Sequence, residues 1–295
     1  MTIIPKHHSA LINGVQLHWM SLGKKSDLPP VLMLHGLNDC ALTWMNVGEQ
    51  LAKDREVFIP DLPGHGQSDR PNASYELMWY AEVMAAWMNY LDLSNVDLIG
   101  HSFGGGVAQT MLLYCRSRVR RLVLVASGGL GKEVNFGLRL ASLPFLIENL
   151  GQPLMRLGTQ IALRLSRDGR SLDHIKVLSQ INSQSGSARA FSRTIRDVIG
   201  IRGQRRAYHE RVHEIADLPP ILLMWGAKDP IIPASHAEGF AKTIDCARVI
   251  ILDDCGHYPH YQQNERFMKY LRRYLLEKRP EASGRPYRLK SVASR

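Results

Sequence analysis

The feature that most restricts the fold is an alternation that begins at Val31. Short, continuously apolar runs are followed by longer helix-like stretches: VLMLHG then TWMNVGEQLAKD, EVFIPD then YELMWYAEVMAAWMNYL, VDLIG then VAQTMLLYCRSR, and then RLVLVAS. A strand that is apolar at successive positions is covered on both faces, and parallel neighbours joined through helices require right-handed crossovers. The pattern therefore predicts an α/β fold with a mostly parallel sheet and helices on both faces. Ahead of it, SALING and VQLHWMSL are alternating stretches joined by Asn13-Gly14. That pair of residues is a strong two-residue hairpin signal, so an antiparallel hairpin should open the chain at the sheet edge. After RLVLVAS the rhythm stops for about 85 residues. It resumes with the strand ILLMWG, the helix-like SHAEGFAKTI, the strand ARVIILD and a last helix within NERFMKYLRRYLLEK.

With 295 residues and 45% hydrophobic content, the chain can bury one large core, or a core with a modest subdomain. The opening MTIIPKHHSA has neither a continuous apolar run nor a small-residue cleavage site, and no later segment reaches the ~20 apolar residues a membrane span needs. A soluble, non-secreted, cytoplasmic protein is expected. The four cysteines, Cys40, Cys115, Cys246 and Cys255, are scattered without metal-ligand spacing, so reduced thiols and no metal site are expected. The net charge of +10 is concentrated in two segments: residues 130–216 hold fourteen basic against seven acidic side chains, and residues 278–295 six against one. Such charge could attract anionic lipid or an anionic substrate, but a solvated face with a disordered basic tail over 280–295 is the preferred reading, because charge alone names no partner. Nucleic acid is not expected as a partner.

The stretch GHSFGG, residues 100–105, sits between the apolar run VDLI and a helix. In an open parallel sheet, ligands meet the carboxyl ends of strands, and Ser102 occupies such an end. A serine in a tight strand-to-helix turn needs very small neighbours two positions to either side, here Gly100 and Gly104. The turn presents the hydroxyl to the cleft and aims the amide of Phe103 at an incoming carbonyl oxygen. A hydroxyl needs a base to become a nucleophile. His257, in DDCGHYPH, directly follows the strand ARVIILD and so returns to the same sheet edge, although a buried structural histidine would fit that position as well. Asp229, in WGAKDPIIP, follows the strand ILLMWG, whereas RLVLVAS ends in SGGL and offers no rival carboxylate.

The order Ser102, Asp229, His257 resembles the triad order of the α/β-hydrolase family. The resemblance covers residues 8 to about 128 and 217 to about 279, and it is carried by LHGLND, DLPGHGQSD, GHSFGG, WGAKDPIIP and CGHYPHYQQNERF. It implies that the amides of Leu37 and Phe103 form an oxyanion hole, that Asp61, His65 and Asp69 are structural, and that no cofactor is needed; His101, whose side chain alternates away from that of its neighbour Ser102, is expected to support the elbow. One departure from the family pattern is Gln262 and Asn264, where Glu and Pro are common, which puts the packing of the last helix in question. Serine rather than aspartate at the elbow argues against the epoxide hydrolase and haloalkane dehalogenase branches.

The resemblance divides the chain into a hydrolase core (1–129 and 217–279) and a helical cap or lid (130–216). Within the cap, LMRLGTQIALRL places Leu154, Leu157, Ile161 and Leu165 at helical spacing, with Arg156 and Arg164 elsewhere. The functional reading is an apolar ceiling over the acyl part of a substrate with a basic outer face; the plain reading is an ordinary core-facing stripe. The expected activity is that of a serine hydrolase cleaving a carboxylic ester, or a related acyl bond, of a small and largely apolar substrate. Carbon–carbon bond hydrolysis, thioester hydrolysis and acyl transfer use the same triad. The first of these is disfavoured because LHGLNDCALTW lacks the glycine-rich stretch associated with it. A non-enzymatic small-molecule receptor on the same fold is the reading from a different class.

Overall fold

The structure, a computed structural model, describes residues 3–143, 147–148, 151–166, 170–205, 214–215 and 217–277. The basic segment 280–295 therefore lies outside the described residues. The centre is an eight-stranded sheet in the order β1-β2-β4-β3-β5-β6-β9-β10. Strands β1 (Lys6–Ile12) and β2 (Val15–Leu22) form the expected hairpin about Asn13-Gly14, with Ile12 opposite Val15. Strand β2 pairs antiparallel with β4 (Val57–Pro60). From there β3 (Val31–Leu34), β5 (Val96–His101), β6 (Val119–Val125), β9 (Ile221–Gly226) and β10 (Ala247–Leu252) continue as parallel neighbours.

The continuous apolar runs are explained by two cores, one on each face. In β3, Leu32 and Leu34 belong to one and Val31 and Met33 to the other; in β9, Ile221, Leu223 and Trp225 face one while Leu222 and Met224 face the other. The first core is closed by helices α2 (Leu77–Tyr90) and α3 (Phe103–Cys115), and the second by α1 (Met45–Leu51).

Between β6 and β9 lie α4 (Phe136–Ala141), α5 (Met155–Ser166), α6 (Leu172–Asn182), α7 (Ser187–Val198) and the short antiparallel pair β7 (Ile199–Gly200) and β8 (Gly203–Gln204). The chain then returns through β9, α8 (Ser235–Thr243), which packs on the first core, and β10. A short helix α9 (Pro259–Gln262) leads into α10 (Asn264–Leu276), whose Phe267, Met268, Leu271 and Leu275 pack on the second core. The Gln262 and Asn264 departure is thus accommodated: Asn264 accepts from Gln50 Nε2 at 2.7 Å and donates to the His260 carbonyl at 3.0 Å. No helix among the described residues is long and apolar enough to cross a membrane.

Candidate active site

Ser102 is the residue between β5 and α3, and its backbone lies at φ 52°, ψ −116°. A side-chain-bearing residue in that conformation costs about 1–3 kcal/mol, so the surroundings must hold it there. They do so with backbone bonds. Ser102 N–H donates to the Val125 carbonyl at 2.9 Å, and the Ser102 carbonyl accepts from Gly105 and Gly128, each at 3.0 Å. The flanking glycines are required by close approach. A Cβ on Gly100 would come within 2.4 Å of the Gly104 carbonyl oxygen, and one on Gly104 within 2.3 Å of the His35 carbonyl oxygen.

His257 and Asp229 arrive from the ends of β10 and β9 to meet this serine. His257 Nε2 lies 3.0 Å from Ser102 Oγ, and His257 Nδ1 lies 2.8 Å from Asp229 Oδ2. The Asp229 carboxylate is fully buried, and its second oxygen accepts the backbone N–H groups of Ile231 (2.8 Å) and Ile232 (3.0 Å). With Asp229 accepting at Nδ1, that nitrogen carries the hydrogen and Nε2 is left to accept from the serine hydroxyl. Asp253 and Asp254 are exposed, and Asp254 pairs with Lys228, so Asp229 is the carboxylate that meets the imidazole.

Two neighbours fix the histidine loop. His101 is fully buried and its Nε2 donates to the His257 carbonyl at 2.9 Å. Burial, reinforced by His260 and His257, pushes the His101 imidazole well below its ordinary range, so this ring is neutral. It braces the histidine loop from behind, a contact beyond the elbow support expected from its alternation with Ser102. Gln262 accepts the Gly256 N–H at 2.8 Å through its side-chain oxygen, the bond a carboxylate at that position would also accept. Cys255 is buried, and burial pushes its thiol up to about 11, which suits packing rather than nucleophilic chemistry.

Leu37 and Phe103 both line the cavity beside Ser102. Phe103 is the first residue of α3, where an N–H has no partner one turn back. Leu37 follows His35-Gly36, and here the imidazole has a part that the pattern HG did not disclose. Leu62 N–H donates to His35 Nε2 at 3.0 Å, so Nδ1 carries the hydrogen and donates to the Gly36 carbonyl at 2.8 Å. In a trans peptide the carbonyl and the following N–H point in opposite directions, so His35 sets the direction of the Leu37 N–H. Asp61 sits beneath this loop. Burial would raise its carboxyl, but His18 and the N–H groups of Gln67 and Ala41 outweigh that and hold it below the usual carboxylate range.

The cavity above Ser102 has a volume of about 960 Å³. Its far wall comes from the segment between β6 and β9, including Leu138, Met155, Thr159 and Phe191. The apolar stripe of α5 is placed differently from the expectation. Leu154 reaches the cavity rim, but Leu157 and Ile161 are 56% and 49% exposed and are not part of its lining; the face of α5 that does line it carries Met155, Gly158 and Thr159. Helical spacing identified a coherent face but not the neighbour it meets, and the face toward the cavity is the narrower, mixed one. The Leu165 side chain lies outside the described residues. No cluster of metal-ligating side chains occurs among the described residues.

Parallel sheet, elbow, and three side chains converging from three strand ends define an α/β hydrolase. The chain belongs to the α/β hydrolase fold family, whose model matches residues 29–263. It is 35% identical over 258 residues to an uncharacterised protein of Mycobacterium tuberculosis, covering 84% of this chain and 75% of that one. It is 30% identical over 275 residues to the dihydrolipoyllysine-residue acetyltransferase component of the acetoin cleaving system of Pseudomonas putida, covering 92% of this chain and 70% of the relative. Among solved structures it is similar to a meta-cleavage product hydrolase from Pseudomonas fluorescens, with TM-score 0.73 and 25% identity over 90% of this chain and 96% of that one.

Proposed function

We propose that this chain is a serine hydrolase that cleaves a carboxylic ester, or a related acyl bond, of a small and largely apolar substrate through an acyl-enzyme. The observation that carries the reading is the unbroken relay Asp229–His257–Ser102 opening into a cavity walled by Leu138, Met155 and Phe191. Ser102 Oγ adds to the substrate carbonyl as its proton passes to His257 Nε2, and the carbonyl oxygen becomes an oxyanion facing the amides of Leu37 and Phe103. Asp229 remains ionised and stabilises the imidazolium. Collapse expels the alcohol, which leaves with the proton from His257, and Ser102 holds the acyl group. Water then gives its proton to His257 and adds to the acyl carbon, and a second collapse releases the acid and returns the proton to Ser102. None of these steps calls on a metal or organic cofactor.

In this reading residues 130–216 are the cap over the acyl half of the cavity. The outward Leu157 and Ile161 of α5, with Leu154 at the cavity rim, the exposed Phe136 and Leu140 on α4 and the exposed Arg156 and Arg164, support weak contact with an anionic membrane surface. Reversing Arg156 and Arg164 to glutamate should then weaken binding to anionic vesicles at low salt without changing turnover of short soluble esters. The free cysteines support a reducing, cytoplasmic setting. The likeness to a meta-cleavage product hydrolase favours a second reading, carbon–carbon bond hydrolysis on the same relay. A panel of p-nitrophenyl esters from acetate to palmitate, run beside a ring-cleavage dienoate and an acyl thioester, separates them. Ester turnover exceeding dienoate turnover by orders of magnitude is expected, and the reverse ranking would replace the first reading with the second.

A further inference from the structure

The two oxyanion donors are held in different ways. Phe103 belongs to a helix packed into the core, but Leu37 sits in a loop whose next residue, Asn38, has the left-handed φ of 60°. Asparagine tolerates that region better than other side-chain-bearing residues, yet it still needs partners to stay there. The partners come from the cap, more than a hundred residues away in sequence. The Asn38 carbonyl accepts from Asn182 Nδ2 of α6 at 2.9 Å, and the Asn38 side-chain amide donates to Thr159 Oγ1 of α5 at 3.2 Å. Asp39 pairs with Arg170 at 3.3 Å, both side chains being 1% exposed. Asn182 and Thr159 are themselves 2% and 3% exposed, so both bonds are made from side chains held by packing.

We propose that the cap completes the oxyanion hole, and that Asn182 is a positioning residue which, through the Asn38 carbonyl, holds the Leu37 amide in its productive direction. His35 fixes the peptide before Leu37 and Asn182 fixes the peptide after Asn38, so the Leu37 N–H is set between a clamp from the core and a clamp from the cap. Losing the second clamp lets the loop drift while Ser102, His257, Asp229 and the acyl wall stay in place. The interaction matters most when the carbonyl oxygen bears charge, so its loss falls on kcat and on kcat/KM alike, with KM little changed.

The inference rests on the acyl-transfer reading, and the test distinguishes the failure of each. In the full chain, Asn182→Ala should lower kcat for p-nitrophenyl butyrate by roughly tenfold, the upper range for one net hydrogen bond, with KM within about twofold. Phenylboronic acid, which becomes a tetrahedral anion on a reactive serine, should bind more weakly by the same factor. Asn182→Asp, which turns an acceptor toward the Asn38 carbonyl, should lose at least as much. Thr159→Val acts on the same residue from another helix and should lower kcat by about two- to fivefold, which keeps the idea testable if Asn182 variants do not fold. A rise in KM at unchanged kcat in Asn182→Ala, or normal kcat with normal boronate binding in both Asn182→Ala and Thr159→Val, would overturn this role alone. No ester turnover in the unaltered enzyme would overturn the acyl-transfer reading and this role with it.

Discussion

Two glycines of α3, only two positions apart, should respond oppositely to the same added methyl group. A Cβ on Gly104 would lie 2.3 Å from the His35 carbonyl oxygen and 2.6 Å from that of Leu34, both fixed in β3 and the turn that follows it. Ordinary contact begins near 3.4 Å, so the start of α3 must withdraw by about 1 Å, carrying Ser102 Oγ and the Phe103 amide with it. Displacements of that size near reacting atoms cost on the order of 10²-fold in rate, and overpacking of this kind costs about 1–3 kcal/mol of stability. On Gly106 the nearest atom to an added Cβ is Leu77 Cδ2 at 3.5 Å, an ordinary contact. Gly106→Ala should therefore be neutral or gain up to about 1 kcal/mol from helix propensity. Ester turnover measured beside urea unfolding reads both quantities. If Gly104→Ala kept more than about half of the parent kcat/KM, or if the two variants lost activity equally, the close approach of α3 to β3 would not be what sets the elbow.

Stability should fall in mild acid. Burial, helped by His35, pushes the His65 imidazole down to about 3, against the Pro63 carbonyl bond that favours the charged form. The unfolded chain, with a histidine reference near 6.5, binds more protons than the folded one between about pH 3 and 6.5, so stability drops as pH falls through that window. At pH 5 this group alone should remove about 2 kcal/mol relative to pH 8, with the depressed His101 acting in the same direction; equal urea midpoints at the two pH values would contradict the buried neutral assignment. Acyl preference should be set by the inner face of α5: Met155→Ala, at a 9% exposed cavity position, should shift the p-nitrophenyl ester profile by up to about tenfold between short and long chains. Leu157→Ala should leave that profile unchanged, and a shift there instead would restore the outer stripe as the acyl wall.

The core fold was legible because its strands are buried on both faces: VLML and ILLMWG read as continuous apolar runs since successive side chains enter different cores. The elbow was legible for a local reason, the glycine spacing that a tight strand-to-helix turn demands. Asp229 and His257 could be placed at strand ends, but only the fold shows that their side chains meet Ser102. The segment between β6 and β9 resisted reading because amphipathic spacing in α5 marks a face without naming what it meets; the wider apolar stripe of α5 faces outward, and the cavity takes Met155, Gly158 and Thr159. The contacts made by the loop Leu37–Asp39 were invisible for a related reason. Asn38 to Asn182, Asn38 to Thr159 and Asp39 to Arg170 join the loop after β3 to the segment between β6 and β9, residues more than a hundred positions apart that only the fold brings together. Gln262 read as a departure from the family pattern, and the structure shows its amide oxygen taking the Gly256 N–H.

Whether Ser102 is a nucleophile activated by His257 and Asp229 is tested by reaction of the intact protein with a fluorophosphonate followed by peptide mass mapping. One phosphonate per chain on the peptide containing Ser102 is expected, with labelling abolished in Ser102→Ala and slowed by several orders of magnitude in His257→Ala and in Asp229→Asn, because an amide cannot stabilise the imidazolium. A folded parent protein left unlabelled, or one labelled at the same rate after Asp229→Asn, would contradict the relay; the first result would point to a protein that binds small molecules on this fold without transforming them.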